Sequence, residues 1–161
     1  MSESISIPVE LKDKKSRYEA LLPQIFALVE GENDWLSCTA SIIAALKEGM
    51  DFFWIGVYRV EGKELLLGPF QGPVACLRIG YGKGVCGMAW KENRTLVVPD
   101  VDLFPGHIAC SSLSRSELVV PVRKNGKVVM VLDVDSTKLN DFDQVDAMFL
   151  EKIAERMAQF V

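Results

Sequence analysis

Three cysteines, one histidine and three carboxylates are the residues of this sequence best suited to chemistry. His107 and Cys110 stand three apart in "FPGHIACSSLSRSELVV" (Phe104 to Val120), and Cys76 and Cys86 stand ten apart around a glycine-rich run. Such thiols can be oxidised to sulfenic acid and condense to a disulfide, or they can bind a metal. Spacing argues against structural zinc, whose ligands come in close pairs, because only His107-x-x-Cys110 resembles a pair. It does not favour a catalytic dyad either, since known Cys and His partners lie far apart in sequence. His107 is therefore read as a loop histidine with a structural hydrogen bond. Cys86 follows Gly80, Gly82 and Gly84 and precedes Gly87, and Cys110 precedes "SSLSRS". Both are expected in accessible backbone, where a thiol in a reducing compartment is a redox candidate. Cys38, among Leu36, Ala40 and Ile42, reads as a buried inert thiol.

The carboxylates are Glu117, Asp133 and Asp135, set in the apolar stretch "ELVVPVRKNGKVVMVLDVD". Acidic side chains on apolar strands are costly unless they line a wet cleft, meet a positive group or lie at a solvated strand end. The stretch is a hairpin, and its pattern suggests a register. A two-residue Asn125-Gly126 turn would set Leu118 opposite Asp133. A three-residue loop, Lys124 to Gly126, instead pairs Leu118 with Leu132, Val120 with Met130 and Val122 with Val128. The second register is expected, because it leaves one face wholly apolar. It puts Glu117 opposite Asp133 on the other face, with Asp135 roughly 7 Å along the strand. Trp54 and Tyr58, four apart in "FFWIGVYRV", share a strand face with Gly56 between them. They suit either core packing or two aromatic walls over a glycine floor, a place for a small apolar or sulfur-bearing group.

The elements that must hold these residues follow from periodicity. Tyr18, Leu21, Ile25 and Leu28 recur at helical spacing, with Pro23 expected to kink or restart the helix. Asp34 is placed to cap a second helix through Leu36, Ala40, Ile43 and Leu46, stopping at Gly49. Strands are expected at Phe52 to Val60, Leu65 to Leu67 and Thr95 to Val98, with a short helix at Val85 to Asn93. A last helix is expected to be capped by Asp141, with Gln144 in the capping-box position and a stripe of Val145, Phe149, Ile153, Met157 and Phe160. Helices outside and antiparallel strands between them make an α+β fold. The 161 residues suit one domain, 13–161, after a tail of residues 1–12. A net charge of −4 with scattered Lys and Arg argues against nucleic acid as a partner. Neither a signal peptide nor a membrane span is evident, so a cytoplasmic location is expected.

The order of these elements resembles a GAF domain, a central antiparallel sheet flanked by N- and C-terminal helices. More narrowly, "GPFQGPVACLRIGYGKGVCGMAW", "FPGHIACSSLSRSE" and "VLDVDS" resemble the free methionine-(R)-sulfoxide reductases, over about residues 13–161. The resemblance implies that Cys110 attacks the sulfoxide sulfur and that Cys76 resolves the sulfenic acid, with Cys86 able to join a later exchange. It implies thioredoxin as reductant, no bound cofactor or metal, and substrate against Trp54, Tyr58, Glu117, Asp133 and Asp135. Glu117 is expected to stay protonated and donate to the sulfoxide oxygen, because clustered carboxylates repel. Asp133 or Asp135 is expected to bind the substrate ammonium, and loop amides before Cys110 its carboxylate. Family members look like dimers, although no patch in the sequence demands one. A regulatory GAF module binding another ligand, or a thiol redox sensor, is the alternative.

Overall fold

The structure, a computed structural model, describes residues 4–161. Six antiparallel strands form one sheet in the order β3-β2-β1-β6-β5-β4. They are β1 (Trp54–Glu61), β2 (Glu64–Gln71), β3 (Arg78–Gly80), β4 (Leu96–Val98), β5 (Ser116–Lys124) and β6 (Lys127–Ser136). Helices α1 (Lys14–Leu28), α2 (Trp35–Met50) and α4 (Gln144–Met157) share a core with one face of the sheet. The other face packs against α3 (Gly84–Glu92) and the loops. This division follows from strand alternation: Ile55, Val57, Leu118, Val120, Leu132 and Val134 point to the three helices.

The central hairpin corrects the expected register. Asn125 and Gly126 both have positive φ, 54° and 76°, the signature of a two-residue primed turn. Lys124 pairs with Lys127, and a bulge then skips Val129, so that Arg123 pairs with Val128 and Val122 with Met130. The extra residue moves Leu118 from Asp133 to Val134 and sets Glu117 opposite Asp135. An apolar face is thus reached by a tight turn plus a bulge, where the sequence reading used a wider loop.

The helices show smaller departures. Pro23 lies inside an uninterrupted α1, which buries Tyr18, Leu21, Leu22 and Ile25. Asp34 caps α2 through the Ser37 amide, but Leu36 and Ala40 are exposed, and the helix runs past Gly49 to a left-handed Asp51. The cap of α4 is Asp143, not Asp141: it accepts from the amides of Val145 and Asp146, and the Asp146 carboxylate accepts from the Asp143 amide. Asp141 instead accepts from Ser136 Oγ at 2.5 Å. Asp146 also accepts from Tyr18 Oη at 2.7 Å and Lys14 Nζ at 2.6 Å, which latches α1 to α4. Of residues 1–12, the first three lie outside the described residues, while Ile5 and Ile7 pack on the helical core. No helix among the described residues is long and apolar enough to cross a membrane.

Candidate functional site

Alternation along β1, β5 and β6 gathers the acidic and aromatic residues on the face away from α1, α2 and α4. Glu117 and Trp54 are both Cα partners of Asp135, and Val119 and Gly56 are both partners of Asp133. The three acids therefore occupy neighbouring positions on two adjacent strands, Glu117 on β5 and Asp133 and Asp135 on β6, with Trp54 beside them on β1. Glu117 and Asp133 are only 6% and 5% exposed, so these carboxylates form the floor of a cavity and not a solvated edge.

Trp54 and Tyr58 wall the cavity. The Trp54 ring stacks on Phe70 and Tyr58 at centroid distances of 5.5 and 6.2 Å, and its Nε1 donates to the Pro73 carbonyl at 3.0 Å. Gly56 is not the floor. A Cβ there would come within 2.5 Å of both Phe70 Cβ and the Trp54 ring, so the missing side chain makes room for the indole. Tyr58 Oη donates to the Cys76 carbonyl at 2.9 Å, tying the wall to the segment between β2 and β3.

That segment and the loop before β5 bring two thiols together. Cys76 and Cys110, 34 residues apart, are joined in a disulfide with a Cα to Cα distance of 5.3 Å. Cys110 lines the cavity beside His107, Ser111 and Ser114. Cys38 is a buried free thiol, as expected. Cys86 is also free, but it is 3% exposed in the first turn of α3 and not in accessible backbone. The glycines around it serve close approach: a Cβ on Gly87 would stand 2.6 Å from the Gly80 carbonyl oxygen. This contact brings α3 down onto the sheet and presses Cys86 into the floor.

Burial dominates the electrostatics. It pushes the Glu117 carboxyl well above the usual range, with the Asp133 and Asp135 charges adding to the rise. Asp135 is raised well above its ordinary value by burial and then by Asp133, while a hydrogen bond from Ser114 works the other way. Asp133 rises from 3.8 to about 6, burial again outweighing hydrogen bonds to Glu117 and Cys86. The Cys86 thiol is driven up by burial and by the three acids. Each rise favours the protonated carboxyl, which can donate a hydrogen bond, over the buried carboxylate.

His107 reaches from its loop to the edge of the cavity. Its Nε2 is 3.8 Å from Glu117 Oε2 at the cavity edge, and burial lowers its pKa, which favours the neutral ring. Reading it against nearby Cys110 overlooked an acid ten residues further on. Ser114 was missed altogether, because one serine in "SSLSRS" carries no signal of its own.

The fold and this face of the sheet define a class. Residues 36–161 match the GAF domain family, and the chain belongs to it. Within that family the relatives are more particular. The crystal structure of the free methionine-R-sulfoxide reductase from Neisseria meningitidis, in complex with its substrate, superposes with a TM-score of 0.93. It is 47% identical and covers 98% of this chain and 96% of its own. The free methionine-R-sulfoxide reductase of Saccharomyces cerevisiae is 43% identical over 152 residues, 89% of this chain and 84% of its own. GAF domain-containing protein A of Dictyostelium discoideum is 57% identical over 141 residues, 87% of this chain and 89% of its own.

Proposed function

We propose that this protein reduces free L-methionine-(R)-S-oxide to L-methionine by thiol chemistry. The observation that carries the reading is a Cys76 and Cys110 pair within bonding distance at a cavity floored by buried carboxyl groups. The names and identities of the relatives support the substrate and its stereochemistry.

Cys110, as thiolate, attacks the sulfoxide sulfur. The sulfur-oxygen bond breaks as the oxygen passes to Cys110, methionine leaves, and a sulfenic acid is left. A protonated Glu117 donates to the oxygen as charge collects there, which its raised pKa suits it to do near neutrality. Asp133 or Asp135 receives the substrate ammonium, and Trp54 and Tyr58 hold the methyl end. Amides of the loop before Cys110 take the carboxylate. Two charged termini recognised in one pocket would exclude methionine sulfoxide within a polypeptide.

The Cys76 thiol then attacks the sulfenic sulfur. A disulfide forms, water leaves, and an external dithiol, thioredoxin, is oxidised in turn to restore both thiols. No bound cofactor takes part, and the reaction is assigned to the cytoplasm; a homodimer is compatible with this scheme. A later exchange through Cys86 would need the first turn of α3 to open, since its sulfur is buried. Substrate reacts only after Cys76 and Cys110 part, because Cys110 must be a free thiolate to attack.

The test is methionine release from the free (R) epimer, the free (S) epimer and a blocked sulfoxide peptide, with thioredoxin recycling, for wild type and Cys110→Ser. Turnover of the free (R) form alone, abolished in the variant, is expected. No turnover with any substrate in fully reduced protein would favour a ligand-binding module. Stoichiometric oxidation without repeated methionine production would favour a redox sensor.

A further inference from the structure

The scheme above gives Glu117 and Asp133 to the substrate and leaves Cys86 only a later exchange that its burial obstructs. The Cys86 sulfur and one oxygen from each of these two carboxylates all lie within 4.8 Å of one another. Cys86 Sγ stands 3.9 Å from Glu117 Oε1. A separate observation points to a ligand: Asp133 Oδ1, on a 5% exposed residue lining the cavity, has no hydrogen-bond partner. A buried acceptor without a donor is costly unless something positive or donating reaches it.

One thiolate and two carboxylates form a donor set for a divalent cation that accepts both sulfur and oxygen, as zinc does. Donors around a tetrahedral zinc stand about 3.5 Å apart. Small inward movements of three side chains would close on such an ion and leave its fourth position toward the cavity. The donors come from α3, β5 and β6, so no sequence spacing reveals them. The argument against zinc from paired ligands applies to structural sites and does not reach this one.

We propose that Cys86, Glu117 and Asp133 form a binding site for a zinc-like divalent cation, and that occupancy blocks the substrate's place and inhibits. Binding forms one metal-sulfur and two metal-oxygen bonds. The Cys86 proton, and any held by the two carboxyl groups, pass to solvent, and no electrons are transferred. The site itself stands on donor geometry, while the inhibition rests on the sulfoxide reading.

The probe is Cd²⁺ alone, titrated into the full chain in its disulfide form. Cys76 and Cys110 are then tied up, and the free thiols are Cys38 and Cys86. A cadmium-thiolate charge-transfer band in the ultraviolet is expected to saturate at one ion per chain and to be removed by competing Zn²⁺. It should survive Cys38→Ser and vanish in Cys86→Ser, with near-ultraviolet circular dichroism confirming the fold. Asp133→Asn keeps the thiol and should weaken binding by at least about tenfold. No band in wild type, a band that follows Cys38, or unchanged affinity in Asp133→Asn would each overturn the proposal. Methionine release by reduced, chelator-treated enzyme is independent of all these outcomes.

Discussion

Replacing Asp133 with asparagine should stabilise the protein at neutral pH while removing its turnover. The side chain is almost fully enclosed, and burial raises its pKa from 3.8 to about 6. In the unfolded chain the carboxyl loses its proton near 3.8. Between that value and about 6 the native state binds more protons than the unfolded state, so stability falls as pH rises through this window. At about 1.36 kcal/mol per pKa unit, the rise amounts to on the order of 3 kcal/mol lost by pH 7.5 and still present below the unfolded pKa. Asparagine keeps the shape and removes the ionisation. The Glu117 and Asp135 carboxyl groups would also lose a neighbouring charge that contributes to their own raised values. Urea unfolding of disulfide-form wild type and Asp133→Asn should therefore coincide near pH 4. By pH 7.5 the variant should be more stable by about 3 kcal/mol, with unchanged denaturant slope. A variant no more stable at pH 7.5 than at pH 4, relative to wild type, would refute the claim that the floor holds this group against the cost of burying its charge.

Three further outcomes follow from particular contacts. Cys76→Ser should release one equivalent of methionine per chain and then stop, with a dimedone-reactive sulfenic acid on Cys110; sustained thioredoxin-driven turnover would remove Cys76 from the resolving role. Gly56→Ala should cost about 1–3 kcal/mol, because the new Cβ meets Phe70 Cβ and the Trp54 ring at 2.5 Å, and unfolding midpoints would show it. Asp146→Ala should cost about 3 kcal/mol by leaving buried Tyr18 Oη without its acceptor and taking the nearest carboxylate from Lys14 Nζ, which keeps the Asp141 carbonyl and Asp143. A loss below about 1 kcal/mol in urea unfolding would mean the latch contributes no more than a surface pair.

Much of the site is legible in the sequence because strands repeat every two residues. Glu117, Asp133 and Asp135 share a face under either hairpin register, since the two registers differ by an even number of residues. Trp54 and Tyr58 share their face for the same reason. Helical spacing likewise places Tyr18, Leu21 and Ile25 in the core before any neighbour is known.

Partners are another matter. Whether Glu117 faces Asp133 or Asp135 depends on a bulge at Val129, and periodicity sets a face without choosing an opposite number. Gly56 could have been a pocket floor until the Trp54 ring was seen to fill the space. Cys86 looked accessible among glycines, yet those glycines let α3 approach backbone and seal it inside. His107 meets an acid on β5 that no local pattern connects to it. Local sequence determined which face each side chain takes, because backbone alternation is a property of a few consecutive residues. Tertiary structure decided which charges are buried together and which thiols can meet, because both depend on segments brought close only when the sheet and its loops have assembled.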